Sequence, residues 1–181
     1  MKIVVAGGSG FLGSALTGAL RARGDEVIVL SRREHAHNAV RWNPADPAGE
    51  WTHVVAAADA VINLAGEPID AGRWTSARKA AILGSRVEAT RALATVLSAN
   101  GTRVGTFFSG SAIGYYGAHG DEVITEQAVA GSDFLARVCT AWEAEARRAS
   151  NRVRVVTLRT GLVLDSRGGA FPRLALPFRL F

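Results

Sequence analysis

The stretch KIVVAGGSGFLG, residues 2–13, decides the fold class of this chain. Its first part is a short β-branched run, which predicts a strand over Lys2 to Ala6. The glycines that follow have the spacing G-x-x-G-x-x-G, and apolar residues then recur at helical spacing from Phe11 to Leu20. The chain therefore opens with a strand, a glycine-rich turn and a helix.

The same alternation continues toward the end of the chain. Runs rich in Val, Ile and Leu predict further strands, and apolar residues at helical spacing predict further helices. The predicted strands are Glu26 to Leu30, Ala60 to Leu64, Val104 to Ser109 and Val153 to Leu158, and the predicted helices are Ser76 to Leu97 and Phe134 to Ala149. This alternation indicates the α/β class, a doubly wound Rossmann-type parallel sheet with helices on both faces.

Composition and charge exclude several classes of protein. The chain has 181 residues, of which 48 % are hydrophobic and 20 % charged, so a globular domain is expected rather than disorder. The net charge is +5, but the basic residues are scattered, which argues against a nucleic-acid partner. No apolar run reaches the roughly 18 residues of a membrane span, so no membrane partner is expected. The single cysteine, Cys139, excludes an internal disulfide and predicts a cytoplasmic protein without a cysteine-based metal site.

The glycine-rich turn predicts a phosphate-binding site. Gly7 permits a tight turn, Gly10 lets the backbone approach a diphosphate, and Gly13 allows the helix to pack closely on the strand. The helix that follows offers free N–H groups and the positive end of its dipole. The alternative is an ordinary strand-to-helix turn. The strands on both sides of the motif favour dinucleotide binding.

The end of the second predicted strand bears on the choice of dinucleotide. An acidic residue at this place binds the adenosine ribose in NAD-specific sites. The chain has Ser31, Arg32 and Arg33 instead, and guanidinium groups suit the 2′-phosphate of NADP(H). We therefore expect NADP(H), with two solvated arginines in a loop as the alternative.

Further segments resemble the extended short-chain dehydrogenase/reductases, the class of nucleotide-sugar epimerases and dehydratases. These segments are NLAG at 63–66, SGSAIGYYG at 109–117 and RTGLVL at 159–164. With GGSGFLG, VINLAGEPI, SRVEATRAL, FLARVCTAWE and LRTGLVLDSRGGA, they resemble more closely an atypical subgroup, the epimerase family of NADP-dependent oxidoreductases. The resemblance runs from residue 1 to the end of the chain.

The resemblance implies a set of cofactor-binding residues. The turn would surround the diphosphate, Ser31 and Arg32 the adenosine end, and Gly161 to Val163 the nicotinamide. The full set is Gly7, Ser9, Gly10, Phe11, Leu12, Gly13, Ser31, Arg32, Arg33, Leu64, Ala65, Gly66, Arg86, Gly161, Leu162 and Val163. Judged by the residues alone, Leu64 and Ala65 fit strand-end packing equally well, and Arg86 fits a surface position on its helix.

The catalytic pair usual in this superfamily is missing from the sequence. That pair is a tyrosine with a lysine one helical turn later, helped by a serine that orients the substrate. Neither lysine of this chain, Lys2 or Lys79, has that spacing from a tyrosine. Counted back from Glu143, the expected positions of the pair hold Leu135 and Cys139.

The remaining catalytic candidates lie at the end of the strand predicted from Val104 and in the loop just beyond it. Ser111 stands where the superfamily has its orienting serine, and Tyr115 or Tyr116 could serve as a substitute acid. No cation is expected beside either tyrosine, and loop packing is the alternative for both rings. Glu67 is either a carboxylate base or a loop cap.

Two other residues with reactive side chains are expected to be inert. His119 is predicted to be a surface residue. Cys139 is predicted to be a small buried side chain rather than a nucleophile, because no cationic neighbour is recognisable near it in the sequence.

Two functions of different class follow from these residues. The first is an NADP(H)-dependent oxidoreductase or nucleotide-sugar-epimerase-like enzyme acting on a carbonyl or hydroxyl substrate. The second is a non-catalytic NADPH-binding protein that regulates a partner. The resemblance further implies a small-molecule substrate, sugar-nucleotide-like in kind, and a homodimer through the helices at 76–97 and 134–149.

The domain expectation concerns the end of the chain. Residues 1–165 are predicted to form the NADP-binding domain, and 166–181 the start of a truncated C-terminal segment whose substrate domain is absent. The apolar stretch AFPRLALPFRLF at 170–181 supports the expectation that the chain is a fragment, because it would leave an exposed apolar patch.

Overall fold

Six parallel strands form the central sheet in the computed structural model, which describes residues 1–32 and 39–180. Their order is β3-β2-β1-β4-β5-β6. The strands are β1 (Lys2–Ala6), β2 (Glu26–Ser31), β3 (Ala39–Arg41), β4 (Ala60–Asn63), β5 (Thr106–Ala112) and β6 (Arg154–Thr160). The chain order reverses between β1 and β4, and in doubly wound sheets ligands bind at this switch point, beyond the carboxyl ends of the strands.

Helices connect the strands and continue past the sheet. They are α1 (Phe11–Ala22), α2 (Trp51–Ala56), α3 (Ser76–Ser98), α4 (Phe134–Arg147) and α5 (Phe171–Leu180). A short antiparallel hairpin of β7 (Leu164–Asp165) and β8 (Gly168–Gly169) precedes α5. In the part of the chain that the structure describes, no helix is long and apolar enough to cross a membrane.

The two faces of the sheet bury separate apolar clusters, because successive side chains of a strand point to opposite faces. Ile3 and Val5 of β1 pack with Leu20 of α1 on one face. Val4 and Ala6 belong to the cluster on the other face, which includes residues of α2, α3 and α4. The predicted α/β class, with helices on both faces of a parallel sheet, is confirmed.

Several elements differ from the sequence prediction. The elements β3, α2, β7, β8 and α5 were not predicted, because each is too short or too irregular for its apolar period to stand out. The strand predicted to end at Ser109 continues to Ala112 as β5. Gly110, Ser111 and Ala112 have low strand propensity, but β6 pairs with them as far as Thr160. This extension makes Ser111 the second-last residue of the strand, in agreement with its expected place at a strand end.

Candidate functional site

The glycine-rich turn is folded as a tight cradle against the end of β4. Gly7 has a φ of 78°, and a Cβ on it would lie 2.7 Å from the carbonyl carbon of Leu64 and 2.8 Å from the nitrogen of Ala65. A Cβ on Gly13 would lie 2.1 Å from the carbonyl oxygen of Gly7. Only glycine fits at these two places. The structure therefore brings together the turn and the Leu64–Ala65 backbone, as the predicted site requires.

The N-terminus of α1 faces a cavity of about 450 Å³. No side chain caps the helix at its N-cap residue, Gly10, so the first-turn N–H groups stay available to an anion. A Cβ on Gly10 would meet only the Gly7 carbonyl oxygen within 4 Å, at 3.3 Å. The lining residues are Ser9, Gly10, Phe11, Ser14, Ala15, Arg167 and Gly168. The cavity has the size of a small-molecule site, roughly 300–1,000 Å³.

The predicted adenosine end lies at the carboxyl ends of β2 and β4. Ser31 is the last residue of β2, and the exposed guanidinium of Arg32 lies 3.6 Å from a carboxylate oxygen of Glu67. The other oxygen of Glu67 accepts a hydrogen bond from Arg78 at 3.2 Å. Arg33, predicted to join this site, lies outside the described residues. The Glu67 carboxylate is thus held between the guanidinium groups of Arg32 and Arg78. This arrangement does not suit Glu67 for the role of catalytic base.

Arg86 of α3 reaches the loop after β4. Its guanidinium donates to the carbonyl oxygen of Glu67 at 3.0 Å and lies over the ring of Trp142, 5.2 Å from the centroid. A Cβ on Gly66 would come within 3.0 Å of this guanidinium. Burial lowers the pKa of Arg86. Arg86 is therefore a partly buried residue that contacts the loop after β4. It is not the solvated surface arginine of the alternative interpretation.

Ser111 is joined to a buried carboxylate. Its hydroxyl donates to Oε1 of Glu143, a residue of α4 with no exposed surface, at 2.7 Å. Arg159 of β6 donates from Nε to Oε1 at 2.7 Å and from Nη2 to Oε2 at 2.9 Å. Arg147 donates to Oε2 at 2.7 Å. Both carboxylate oxygens are fully engaged, as a buried charge requires.

The charge of Glu143 is maintained by these donors. Burial raises the pKa of the Glu143 carboxyl, but the hydrogen bonds from Arg159 and Ser111 outweigh burial and hold that pKa below its ordinary value. In return, the bond to Glu143 raises the pKa of Arg159, against the effect of burial. At neutral pH both side chains are charged, and the pair forms a fixed bridge between α4 and the sheet.

The expectation that no cation lies beside the tyrosines is wrong. Arg159 donates from Nη1 to the hydroxyl of Tyr116 at 2.8 Å, and its guanidinium lies 3.5 Å from the ring centroid of Tyr115. The two rings contact each other edge to face, with centroids 5.3 Å apart. The sequence could not show this contact, because Arg159 is 43 residues beyond Tyr116 and reaches it only through the pairing of β5 with β6.

The positions expected for the missing catalytic pair hold side chains without acid–base function. Leu135 packs beside Gly114, where an added Cβ would lie 3.3 Å away. Cys139 is buried next to Ser111, and burial raises the pKa of its thiol. The prediction that Cys139 is a small buried residue is confirmed. His119 is exposed, as predicted for a surface residue, and its ring bonds to Glu122 and to the carbonyl oxygen of Tyr116.

The last predicted cofactor residues directly follow β6. Gly161 and Leu162 are exposed, and a Cβ on Gly161 would meet nothing within 4 Å. Val163 leads into the hairpin. Within residues 1–32 and 39–180, no group of three or more His, Cys, Asp or Glu side chains could hold a metal ion.

Two important residues of this site were not predicted from the sequence. The sequence places Glu143 on a helix and Arg159 in a motif, but the prediction assigns neither of them a role in the site. A signal for Glu143 existed: Ala136, Cys139, Glu143 and Ala146 form one helical stripe, and all four are buried. A carboxylate on an apolar stripe indicates a buried ion pair, but the stripe does not identify the partner.

A Rossmann-type sheet with a glycine cradle at its switch point defines the class of dinucleotide-binding domains. The model of the NAD dependent epimerase/dehydratase family matches residues 3–172. The chain belongs to this family, as the motifs predicted.

Several known proteins are similar to this chain. An epimerase family protein of Mycobacterium bovis is 41 % identical over 175 residues, which cover 95 % of this chain and 57 % of the relative. The crystal structure of the human epimerase family protein SDR39U1 with NADPH is 34 % identical, with a TM-score of 0.86, and the match covers 99 % of this chain and 60 % of that one. A nucleoside-diphosphate sugar epimerase from Corynebacterium glutamicum is 38 % identical, with a TM-score of 0.84, over 98 % of this chain and 37 % of that one. The chain thus spans somewhat more than half the length of the curated relatives that it matches.

Proposed function

We propose that this chain is the NADP(H)-binding part of an oxidoreductase or nucleotide-sugar-epimerase-like enzyme that acts on a carbonyl or hydroxyl substrate. The observation that carries the proposal is the cradle formed by Gly7 and Gly13, which a single Cβ would fill. Its place beside an uncapped helix N-terminus fits a dinucleotide diphosphate. The human relative solved with NADPH supports the same cofactor.

The residues around the cradle would hold the cofactor along the carboxyl ends of the strands. The backbone from Ser9 to Gly13 would bind the diphosphate. Leu64 to Gly66 would contact the adenosine and its ribose. Gly161 to Val163 would border the nicotinamide, and Arg86 would fix the loop after β4 in place. The division between a domain at 1–165 and a second segment at 166–181, the cytoplasmic location and the homodimer remain predictions of the same proposal.

Arg32 is the residue on which the choice of NADP(H) over NAD(H) depends. We expect Arg32→Ala to weaken NADPH binding at least about tenfold, because it removes a charge-assisted contact to the 2′-phosphate. NADH binding should change less than about twofold, since NADH lacks that phosphate. Fluorescence titrations of both nucleotides measure the two dissociation constants. Arg152→Ala is the control, because Arg152 is exposed and precedes β6 at the opposite edge of the sheet. If Arg32→Ala weakened the binding of NADPH and NADH equally, the assignment of Arg32 to the 2′-phosphate would be contradicted.

The proposed chemistry depends on Ser111, on Tyr116 and on the ion pair of Glu143 with Arg159, which contacts both of them. A bound nicotinamide supplies a hydride donor or acceptor. The hydroxyl of Ser111, which donates to Glu143 in this structure, would turn to the substrate oxygen to orient it. The Tyr116 hydroxyl would exchange a proton with that oxygen, and Arg159, which donates to this hydroxyl, would hold it in place. Arg159 would thereby supply the cation beside the tyrosine that the lysine missing from α4 does not.

Turnover of NADPH with a panel of carbonyl compounds tests this assignment. Loss of NADPH absorbance gives the rate. We expect Tyr116→Phe to lower the rate about a hundredfold or more, the range of a lost general acid, while NADPH binding is unchanged. Tyr115→Phe is the matched control, because it keeps the ring that stacks on Arg159 and should retain the rate within about threefold. Equal rates in the two variants would remove Tyr116 from the mechanism.

The second candidate function is NADPH binding without catalysis. The observation in its favour is that Leu135 and Cys139 occupy the positions expected for the tyrosine and lysine. Tight NADPH binding without turnover on any carbonyl in the panel would support this function.

A further inference from the structure

The hairpin of β7 and β8 forms the second wall of the cavity at the glycine turn. Gly168 and Gly169 lie against the ring of Phe11, where a Cβ on either residue would be 2.9 or 2.7 Å from a ring carbon. The missing side chains let the hairpin approach the first turn of α1. As a result, Arg167 at the hairpin tip and Ser9 of the glycine turn line the same cavity.

The groups on the two walls of this cavity would suit an anion. Its first wall is the uncapped N-terminus of α1, which carries the positive end of the helix dipole. Arg167 is the one charged side chain among the described residues that line the cavity. A cationic wall opposite free N–H groups matches a diphosphate, whose oxygens can accept hydrogen bonds from both sides.

Arg167 is held by a neighbour that an anionic ligand can replace. Its Nε donates to both carboxylate oxygens of Asp165, at 3.0 and 3.1 Å, and its Nη2 donates to Oδ2 at 2.6 Å. Among the described residues, none accepts a hydrogen bond from Nη1 of Arg167. The bonds from Arg167 lower the pKa of Asp165 to about 2, so the carboxylate is charged at neutral pH. With 77 % of its side chain exposed, Arg167 has room to change partner.

We propose that Arg167 is a clamp that closes on the diphosphate of the bound dinucleotide, and that Asp165 competes with the ligand for the guanidinium. This proposal rests on the proposed function, because it takes the glycine cradle to be the dinucleotide site. The diphosphate would exchange with the Asp165 carboxylate for Nε and Nη2 and gain Nη1 as a further donor. The hairpin thereby becomes part of the binding site for the cofactor.

Two substitutions with opposite expected signs test the clamp. Arg167→Gln should weaken NADPH binding about tenfold, through the loss of one charge-assisted contact. Asp165→Asn should strengthen NADPH binding about threefold, because it frees the guanidinium and removes a negative charge near the phosphates, while its amide oxygen can still accept from the Arg167 N–H. If the Arg167–Asp165 pair only stabilised the hairpin, both substitutions would weaken NADPH binding.

Arg23→Gln is the matched control. Arg23 is an exposed arginine paired with an aspartate two residues away, Asp25, but it lies at the other end of α1. Its substitution removes the same charge and should change NADPH affinity less than about twofold. A loss equal to that of Arg167→Gln would show a general charge effect and overturn the clamp.

The remaining outcomes separate the clamp from the proposed function. If the unaltered chain binds NADPH and Arg167→Gln binds it equally well, the clamp is wrong and the proposed function stands. If the unaltered chain binds no NADPH, both fail. Uridine diphosphate serves as a second probe for the diphosphate of a nucleotide substrate: if Arg167→Gln weakens its binding and leaves NADPH binding unchanged, the assignment to the cofactor is overturned.

Discussion

Replacing Glu143 by alanine is expected to lower the free energy of unfolding by about 3 kcal/mol, the lower end of the range for breaking a buried ion pair. The substitution leaves Arg159 and Ser111 without the acceptor that both now share. The lower value applies because Arg159 retains the carbonyl of Glu126 and the Tyr116 hydroxyl as acceptors. Urea unfolding followed by tryptophan fluorescence measures the change. A loss below about 1 kcal/mol would show that the bridge contributes no more than a surface pair.

Glu88→Ala is the control for this experiment. Glu88 is an exposed carboxylate in α3, and its removal should change stability by less than about 0.5 kcal/mol.

The same pair predicts a pH dependence of stability. The pKa of Glu143 is lowered in the folded chain, so its contribution to stability is present above the unfolded value, about 4.3, and is lost as the pH falls through the folded value. The difference in unfolding free energy between the unaltered chain and Glu143→Gln should therefore shrink as the pH is lowered from about 6 toward about 3. A difference that stays constant over this range would show that the Glu143 charge does not stabilise the fold.

Replacing Gly13 by alanine is expected to have the second large effect. The new Cβ would lie 2.1 Å from the Gly7 carbonyl oxygen and 2.7 Å from the Cα of Gly8, so the turn must move. Overpacking of this kind costs about 1–3 kcal/mol of stability. NADPH binding should fall by at least about a hundredfold, because the displaced N–H groups lose several hydrogen bonds to the diphosphate, each worth about 1.5–3 kcal/mol.

Gly18→Ala is the control for the turn. Gly18 is in the same helix, and a Cβ on it would meet nothing within 4 Å. This substitution should leave NADPH binding unchanged and stabilise the helix by about 0.5–1 kcal/mol. Nearly unchanged NADPH affinity in a folded Gly13→Ala variant would contradict the assignment of the turn as the diphosphate site.

The part of the site that lies along one continuous segment was predictable from the sequence. The strand at Lys2–Ala6, the glycine spacing and the helix from Phe11 are adjacent in the chain, so their local pattern suffices to place the cradle. Ser111 could be placed at a strand end for the same reason. The cofactor-binding residues that the family resemblance implies lie where parallel strands end. Among them, Leu64 and Ala65 have their backbone against the turn at Gly7.

The network around Ser111 was not predictable, because it depends on strand pairing and helix docking. The register of β5 and β6 sets Arg159 opposite Ser111. The docking of α4 brings Glu143 to both side chains, 32 residues along the chain from Ser111. Neither contact has a local signature. The pocket wall at Arg167 was missed for a similar reason, since the packing of two glycines on Phe11 is a tertiary contact.

The way in which α3 holds the loop after β4 determines how that loop can move. Asn63, at the end of β4, donates to Thr90 of α3 at 2.8 Å. The N–H of Glu67 donates to Ser85, and Arg86 donates to the carbonyl oxygen of Glu67. Opening of the loop would break contacts to two successive turns of one helix. Its amide protons should therefore exchange with solvent together with those of α3, as one cooperative unit rather than as a locally fluctuating segment.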